Sequence, residues 1–130
     1  MKFEHVALNV PEPLAMARWY VENLGLTVVR KAEGAARHIH FLGDDTGRVF
    51  LELYSNPVAP YPDYAAAHPQ VLHVAFYTPD AAAVQQRLVA AGAKPFSDDR
   101  LEDGTRLIVV RCPWGVALQL AQRAKPFPGF

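Results

Sequence analysis

The alternation of apolar and polar positions changes period in a fixed order along this chain, and it does so twice. Residues 2–10 place Phe3, His5, Ala7 and Asn9 on one face and Val6, Leu8 and Val10 on the other, which is the period of a strand. Pro11-Glu12-Pro13 ends that run and opens a helix, where prolines are tolerated in the first turn. Leu14, Ala17, Val21 and Leu24 then recur at helical spacing, joined by Trp19 and Tyr20, and Gly25 is a C-cap. Residues 26–31, 37–42 and 48–54 predict three further strands, separated by turns around Glu33-Gly34 and Asp44-Asp45-Thr46-Gly47. Residues 71–78 begin the order again. A helix over 80–91 follows, with Asp80 as N-cap, Ala81, Val84, Leu88 and Ala91 inward and Gly92 at its close. Strands over 94–97, 105–111 and 116–121 complete it, with turns at Glu102-Asp103-Gly104 and Pro113-Trp114-Gly115.

The two halves also share residues. His5-Val6-Ala7-Leu8-Asn9-Val10-Pro11-Glu12 returns as His73-Val74-Ala75-Phe76-Tyr77-Thr78-Pro79-Asp80, 68 residues further on. Gly25 matches Gly92, and Leu51-Glu52-Leu53 matches Leu118-Gln119-Leu120, each 67 residues apart. Self-similarity at half the chain length signals two copies of one structural unit. The expected class is α+β: two tandem βαβββ modules forming a curved, partly closed mixed sheet around a central groove, helices outside. The expected division is module 1 over about 2–55, a linker over 56–70, module 2 over about 71–123 and a tail over 124–130. Pro57, Pro60, Pro62 and Pro69 make the linker extended.

Composition narrows the function classes without choosing among them. With 13 basic and 13 acidic residues the formal net charge is zero, which gives no support for nucleic-acid or anionic-membrane binding. No run approaches the roughly 20 apolar residues of a membrane span, and Lys2-Phe3-Glu4-His5 interrupts any leader-like stretch. The lone Cys112 excludes an internal disulfide and suits a reducing compartment. A cytoplasmic protein is expected, and Cys112, with no activating neighbour in sequence, is read as inert.

The repeat is also what points to chemistry. A single histidine on a strand is ordinarily structural, but His5 and His73 recur in register. Glu52 and Gln119 recur likewise, each between leucines that point the other way, as on a strand with one wet face. If the halves pair about a pseudo-twofold axis, His5, Glu52, His73 and Gln119 meet in one groove. Two imidazoles, a carboxylate and an amide oxygen suit a divalent Zn, Ni, Co, Fe or Mn ion. Phe50 and Tyr54 share the face of Glu52, while Asn9 and Tyr77 share those of the histidines, so these four are candidate pocket residues. His38 and His40 share a face whose sense depends on the turn at 43–47. Both are read as surface residues, with His40 the one that would line the pocket. Arg37 and Arg111 are candidates for holding an anionic substrate.

The βαβββ duplication, the strand-opening His-Val-Ala, the Leu-Glu-Leu and the Pro-Trp-Gly turn before the last strand resemble the vicinal oxygen chelate superfamily. That superfamily groups glyoxalase I, methylmalonyl-CoA epimerase, extradiol dioxygenases and the fosfomycin and bleomycin resistance proteins. The resemblance covers about residues 2–123, and the four positions fall where the family keeps its metal ligands. It implies a small-molecule substrate, a homodimer, and a metal-dependent lyase or isomerase working through a metal-stabilised enolate with Glu52 as base. Two departures stand out: the glyoxalase I pattern ends its ligand set with a glutamate where this chain has Gln119, and Cys112 replaces the aspartate of the turn. The alternatives are a non-catalytic drug-binding protein of the bleomycin-resistance type and a single-domain dioxygenase.

Overall fold

The computed structural model describes residues 1–34 and 37–129, apart from the side chains of Glu33 and Arg37. It divides into two compact units, residues 1–62 and 63–130. Each contains one helix and one four-stranded mixed sheet, so the class is α+β with two tandem βαβββ modules.

Unit 1 runs β1 (Val6–Asn9), α1 (Pro13–Leu24), β2 (Thr27–Gly34), β3 (Arg37–Gly43) and β4 (Val49–Tyr54), with spatial order β1-β4-β3-β2. Pro13 sits at the first helical position, where its missing N–H costs nothing. Gly25 ends the helix at φ 70°, the left-handed conformation that glycine enters without a Cβ clash. The buried helix face differs from the expected stripe. Pro13, Met16, Ala17, Trp19 and Tyr20 are buried, whereas Leu14 is exposed and Val21 and Leu24 are only half-buried. The large side chains of Met16 and Tyr20 fill the space over Leu42, Leu51 and Leu53, which are fully buried; truncating one such leucine to alanine typically costs about 2–5 kcal/mol. β2 runs through Gly34, and the residues that join it to β3, where the turn around Glu33-Gly34 is expected, lie outside those described.

Unit 2 runs β5 (Val74–Tyr77), α2 (Ala81–Ala90), β6 (Lys94–Arg100), β7 (Arg106–Arg111) and β8 (Ala117–Gln122), ordered β5-β8-β7-β6. Asp80 caps α2, its carboxylate accepting the Ala83 N–H at 3.0 Å. Ala81 and Leu88 bury the helix against a core of Ile108, Val110, Leu118 and Leu120. The repeat seen in the sequence is a repeat of hydrogen-bond register. Val6 pairs with Leu51 and Val74 with Leu118, both in parallel ladders. Ladder irregularities fall between Val28 and Arg30 in one unit and between Pro95 and Ser97 in the other. β6 is longer than its apolar run predicts because a bidentate Arg106–Asp98 pair, at 2.7 and 2.6 Å, ties its polar end to β7.

The β6–β7 hairpin depends on two ionised carboxylates. Asp103 accepts the Thr105 N–H at 2.8 Å and its hydroxyl at 3.0 Å, and these bonds hold its carboxyl below the ordinary carboxylate range. The Arg106 hydrogen bond, against an opposing effect of desolvation, does the same for Asp98. A carboxyl depressed by folding contributes stability above its unfolded pKa and loses it as pH falls through the folded value. Hydrogen-exchange protection in this hairpin, taken relative to the intrinsic rate at each pH, is therefore expected to fall once pH drops below about 4, and Asp103→Asn is expected to flatten that dependence. Carboxyl titrations at ordinary values for both residues would contradict the account.

Candidate functional site

In unit 1 the parallel β1–β4 ladder sets Ala7 opposite Glu52 and Asn9 opposite Tyr54. Residues paired in register share a face, so Glu52 and Tyr54 lie opposite the Leu51 and Leu53 side that packs on α1. His5 immediately precedes β1, and its Nε2 lies 3.1 Å from Glu52 Oε2. Phe41, opposite Glu52 on β3, meets the His5 ring edge-on at 5.4 Å and fixes it from a second side. The Glu4 carboxylate lies against Nδ1 but off a hydrogen-bond axis, so Nε2 is the nitrogen the site presents. Ala7 carries only a methyl and leaves space beside the carboxylate.

Unit 2 builds the matching arrangement. Ala75 stands opposite Gln119 in the β5–β8 ladder, and His73 immediately precedes β5. His73 Nδ1 lies 2.8 Å from the Pro69 carbonyl. A carbonyl only accepts, so Nδ1 carries a proton; in the neutral ring this leaves the lone pair on Nε2, the way a ligating histidine is normally held. Gln119 is half-buried between fully buried Leu118 and Leu120.

Metal–ligand bonds of about 2.0–2.2 Å put neighbouring ligand atoms roughly 3 Å apart, and His5 Nε2 and Glu52 Oε2 stand at that spacing. Among the described residues, no group of three or more His, Cys, Asp and Glu side chains is placed to hold a metal ion. The candidate donors come two to a unit.

The expected pocket residues do not share one role. Tyr54 flanks Glu52 on its face, Phe50 lies at the irregularity of the β3–β4 ladder, both are half-buried, and Tyr77 lies on the Gln119 face, 38% exposed. Asn9 is 7% exposed, and its amide holds the segment after β4: Nδ2 donates to the Asn56 and Ala59 carbonyls, and Oδ1 accepts the Asn56 N–H at 2.9 Å. His40 is no surface residue. It pairs with Leu53 and faces α1, only 2% exposed, on the side of the sheet opposite Glu52. There it lines a cavity of about 410 Å³ with Leu14, Ala17 and Val21. His38, on the same face but beyond the end of β4, is exposed.

A family model described as the Glyoxalase/Bleomycin resistance protein/Dioxygenase superfamily matches residues 2–120. The chain belongs to this superfamily. No curated protein matches it. Among solved structures, it is similar to glyoxalase I from Zea mays, with TM-score 0.75 and 21% identity over 95% of this chain and 45% of that one. It therefore spans just under half the length of that enzyme. It is also similar to TnmS3, an antibiotic binding protein from Streptomyces sp. CB03234, with TM-score 0.72 and 17% identity over 95% of this chain and 97% of that one. TioX from Micromonospora sp. ML1 aligns with TM-score 0.64 and 18% identity over 94% and 98% of the two chains. At these identities the likeness is one of fold.

Within this superfamily member, Arg111 is not the anion-holding residue its charge suggests. Its Nη1 donates to the Tyr64 and Gly115 carbonyls at 2.8 and 3.0 Å, and its Nη2 donates to Ala67 at 2.7 Å. The guanidinium also lies 5.3 Å over the Phe96 ring. Gly115 seals the same contact, since a Cβ there would meet the Ala65 nitrogen at 2.7 Å and its φ is +83°. Arg37, the other expected anion holder, has its side chain outside the described residues. Arg111→Ala is expected to destabilise unit 2 by about 2–3 kcal/mol, and Gly115→Ala by about 1–3 kcal/mol. Both should speed proteolytic nicking over 63–67, read by limited proteolysis beside urea denaturation. Unchanged nicking in both variants would exclude the clamp.

Proposed function

We propose that this superfamily member is a divalent-metal-dependent lyase or isomerase acting on a small oxygen-bearing substrate. His5, Glu52, His73 and Gln119 are the proposed ligands, the last two supplied by the same chain or by a second copy in a homodimer. The observation that carries this reading is the 3.1 Å approach of His5 Nε2 to Glu52 Oε2, a hydrogen-bond contact whose two atoms already stand at the spacing of neighbouring ligands and which a bound ion would replace. When bound, the ion supplies positive charge that stabilises an oxyanion and so acidifies an adjacent C–H bond.

The chain's own residues set the rest. Glu52 is the member of the set able to accept a proton, and its side chain is only 16% exposed. Packing between Ala7 and Phe41 holds it within reach of a bound substrate, as general-base catalysis requires. Gln119 orients but takes no proton, which favours a one-base reaction in which the proton leaves and returns on one face. Phe50 and Tyr54 would supply apolar walls on the Glu52 face.

A second reading is a non-catalytic small-molecule binder. The near-full-length likeness to TnmS3 and the absence, among the described residues, of three gathered His, Cys, Asp or Glu side chains favour it. A dioxygenase is third, because a two-histidine, one-carboxylate iron site leaves Gln119 idle.

Elemental analysis of protein purified without added metal, followed by titration with Zn, Ni, Co, Fe and Mn salts, separates these. Near-stoichiometric uptake is expected, weakened by more than about a hundredfold in Glu52→Gln. Wild-type protein that takes up none of the five would replace the enzyme with the binder.

A further inference from the structure

We infer that the α1 side of the first sheet holds a second ligand site, one that takes a small amphiphilic carboxylate. The cavity of about 410 Å³ lies between α1 and the edge strand β2, within the size range of small-molecule pockets. Its walls are apolar: Leu14, Ala17 and Val21 descend one side of α1, and Val28 and Val29 face them from β2. Leu14, Val28 and Val29 are each more than 40% exposed, at 43%, 41% and 47%. Three large apolar side chains left in water around one opening are a mark of binding surface.

The charged side chains that line the cavity, among the described residues, carry one sign. Arg18 lies one turn from Leu14 on the same side of α1, and Lys31 pairs across the ladder with buried His40, both lining the space. Among the described residues, no aspartate or glutamate lines it. Among the described residues Arg18 has no carboxylate partner, and it is exposed at the rim, free to turn toward a ligand. An apolar trough edged by cations, with no anion among the described lining residues, matches a hydrocarbon body with an acidic head. A neutral or cationic amphiphile would leave the head unmatched. The site owes nothing to the metal reading, because His40 and Glu52 lie on opposite faces of the sheet.

Decanoate, decanol and decyltrimethylammonium share a tail and differ in the head. Each would be titrated into the full chain and followed by methyl and histidine-ring NMR signals. Decanoate is expected to shift Leu14, Val21, Val28 and His40 saturably, with the other two at least about tenfold weaker. Arg18→Ala should weaken decanoate about tenfold, Val29→Glu should do likewise by placing a like charge at the mouth, and Glu52→Gln should change nothing. Equal binding of decanol, shifts confined to other residues, or full decanoate affinity in both Arg18→Ala and Val29→Glu would each overturn the assignment.

Discussion

Parallel pairing between the first and last strand of each module is the constraint on which the rest depends. A parallel pair cannot be closed by a tight turn, so the chain must travel through a helix and two more strands before returning to its starting edge. That return brings residues nearly fifty positions apart, such as Ala7 and Glu52, side by side. Register then does the chemical sorting. Shifting β4 by one residue would send Glu52 into the leucine core and a leucine to the wet face, so hydrophobic burial of Leu51 and Leu53 is what aims the carboxylate. The same holds for Gln119 between Leu118 and Leu120.

The order of elements along the chain and the faces of β1, β4, β5 and β8 were legible in the sequence, because alternation and repetition reported the same periodicity independently. Element ends were less so: Val6–Asn9 is about half the length its alternation suggests, since the ladder with β4 begins only at Val6 opposite Leu51. Of the apolar stripe on α1, Ala17, Trp19 and Tyr20 are buried as expected, whereas Leu14, Val21 and Leu24 are not. Met16, Trp19 and Tyr20 are bulkier and win the space over the sheet, rotating Leu14 and Val21 to the cavity. His40 was ambiguous because its direction is set by the pairing of β3 with β4 across a turn, and no local pattern encodes that. Arg111 shows a different limit: its partners are backbone carbonyls, which leave no trace in residue types.

The first sheet therefore carries two chemistries on its two sides. One presents a histidine and a carboxylate beside aromatic rings; the other presents aliphatic side chains edged by basic ones. A single alternating strand suffices to separate them, as β3 does with Phe41 and His40 as neighbours in sequence. The second sheet repeats the first arrangement with an amide in place of the carboxylate, so its proton-handling capacity differs while its backbone does not.

The way the proline-rich stretch is fastened has a consequence for how this gene product tolerates insertion. Asn9 grips Asn56 and Ala59 on one side, and Arg111 grips Tyr64 and Ala67 on the other. Extra residues within either gripped segment would break a set of polar contacts, whereas Pro60, Tyr61 and Pro62 are exposed and lie between the two. That tripeptide is where a recognition tag or a permuted terminus would be accommodated at least cost to either half.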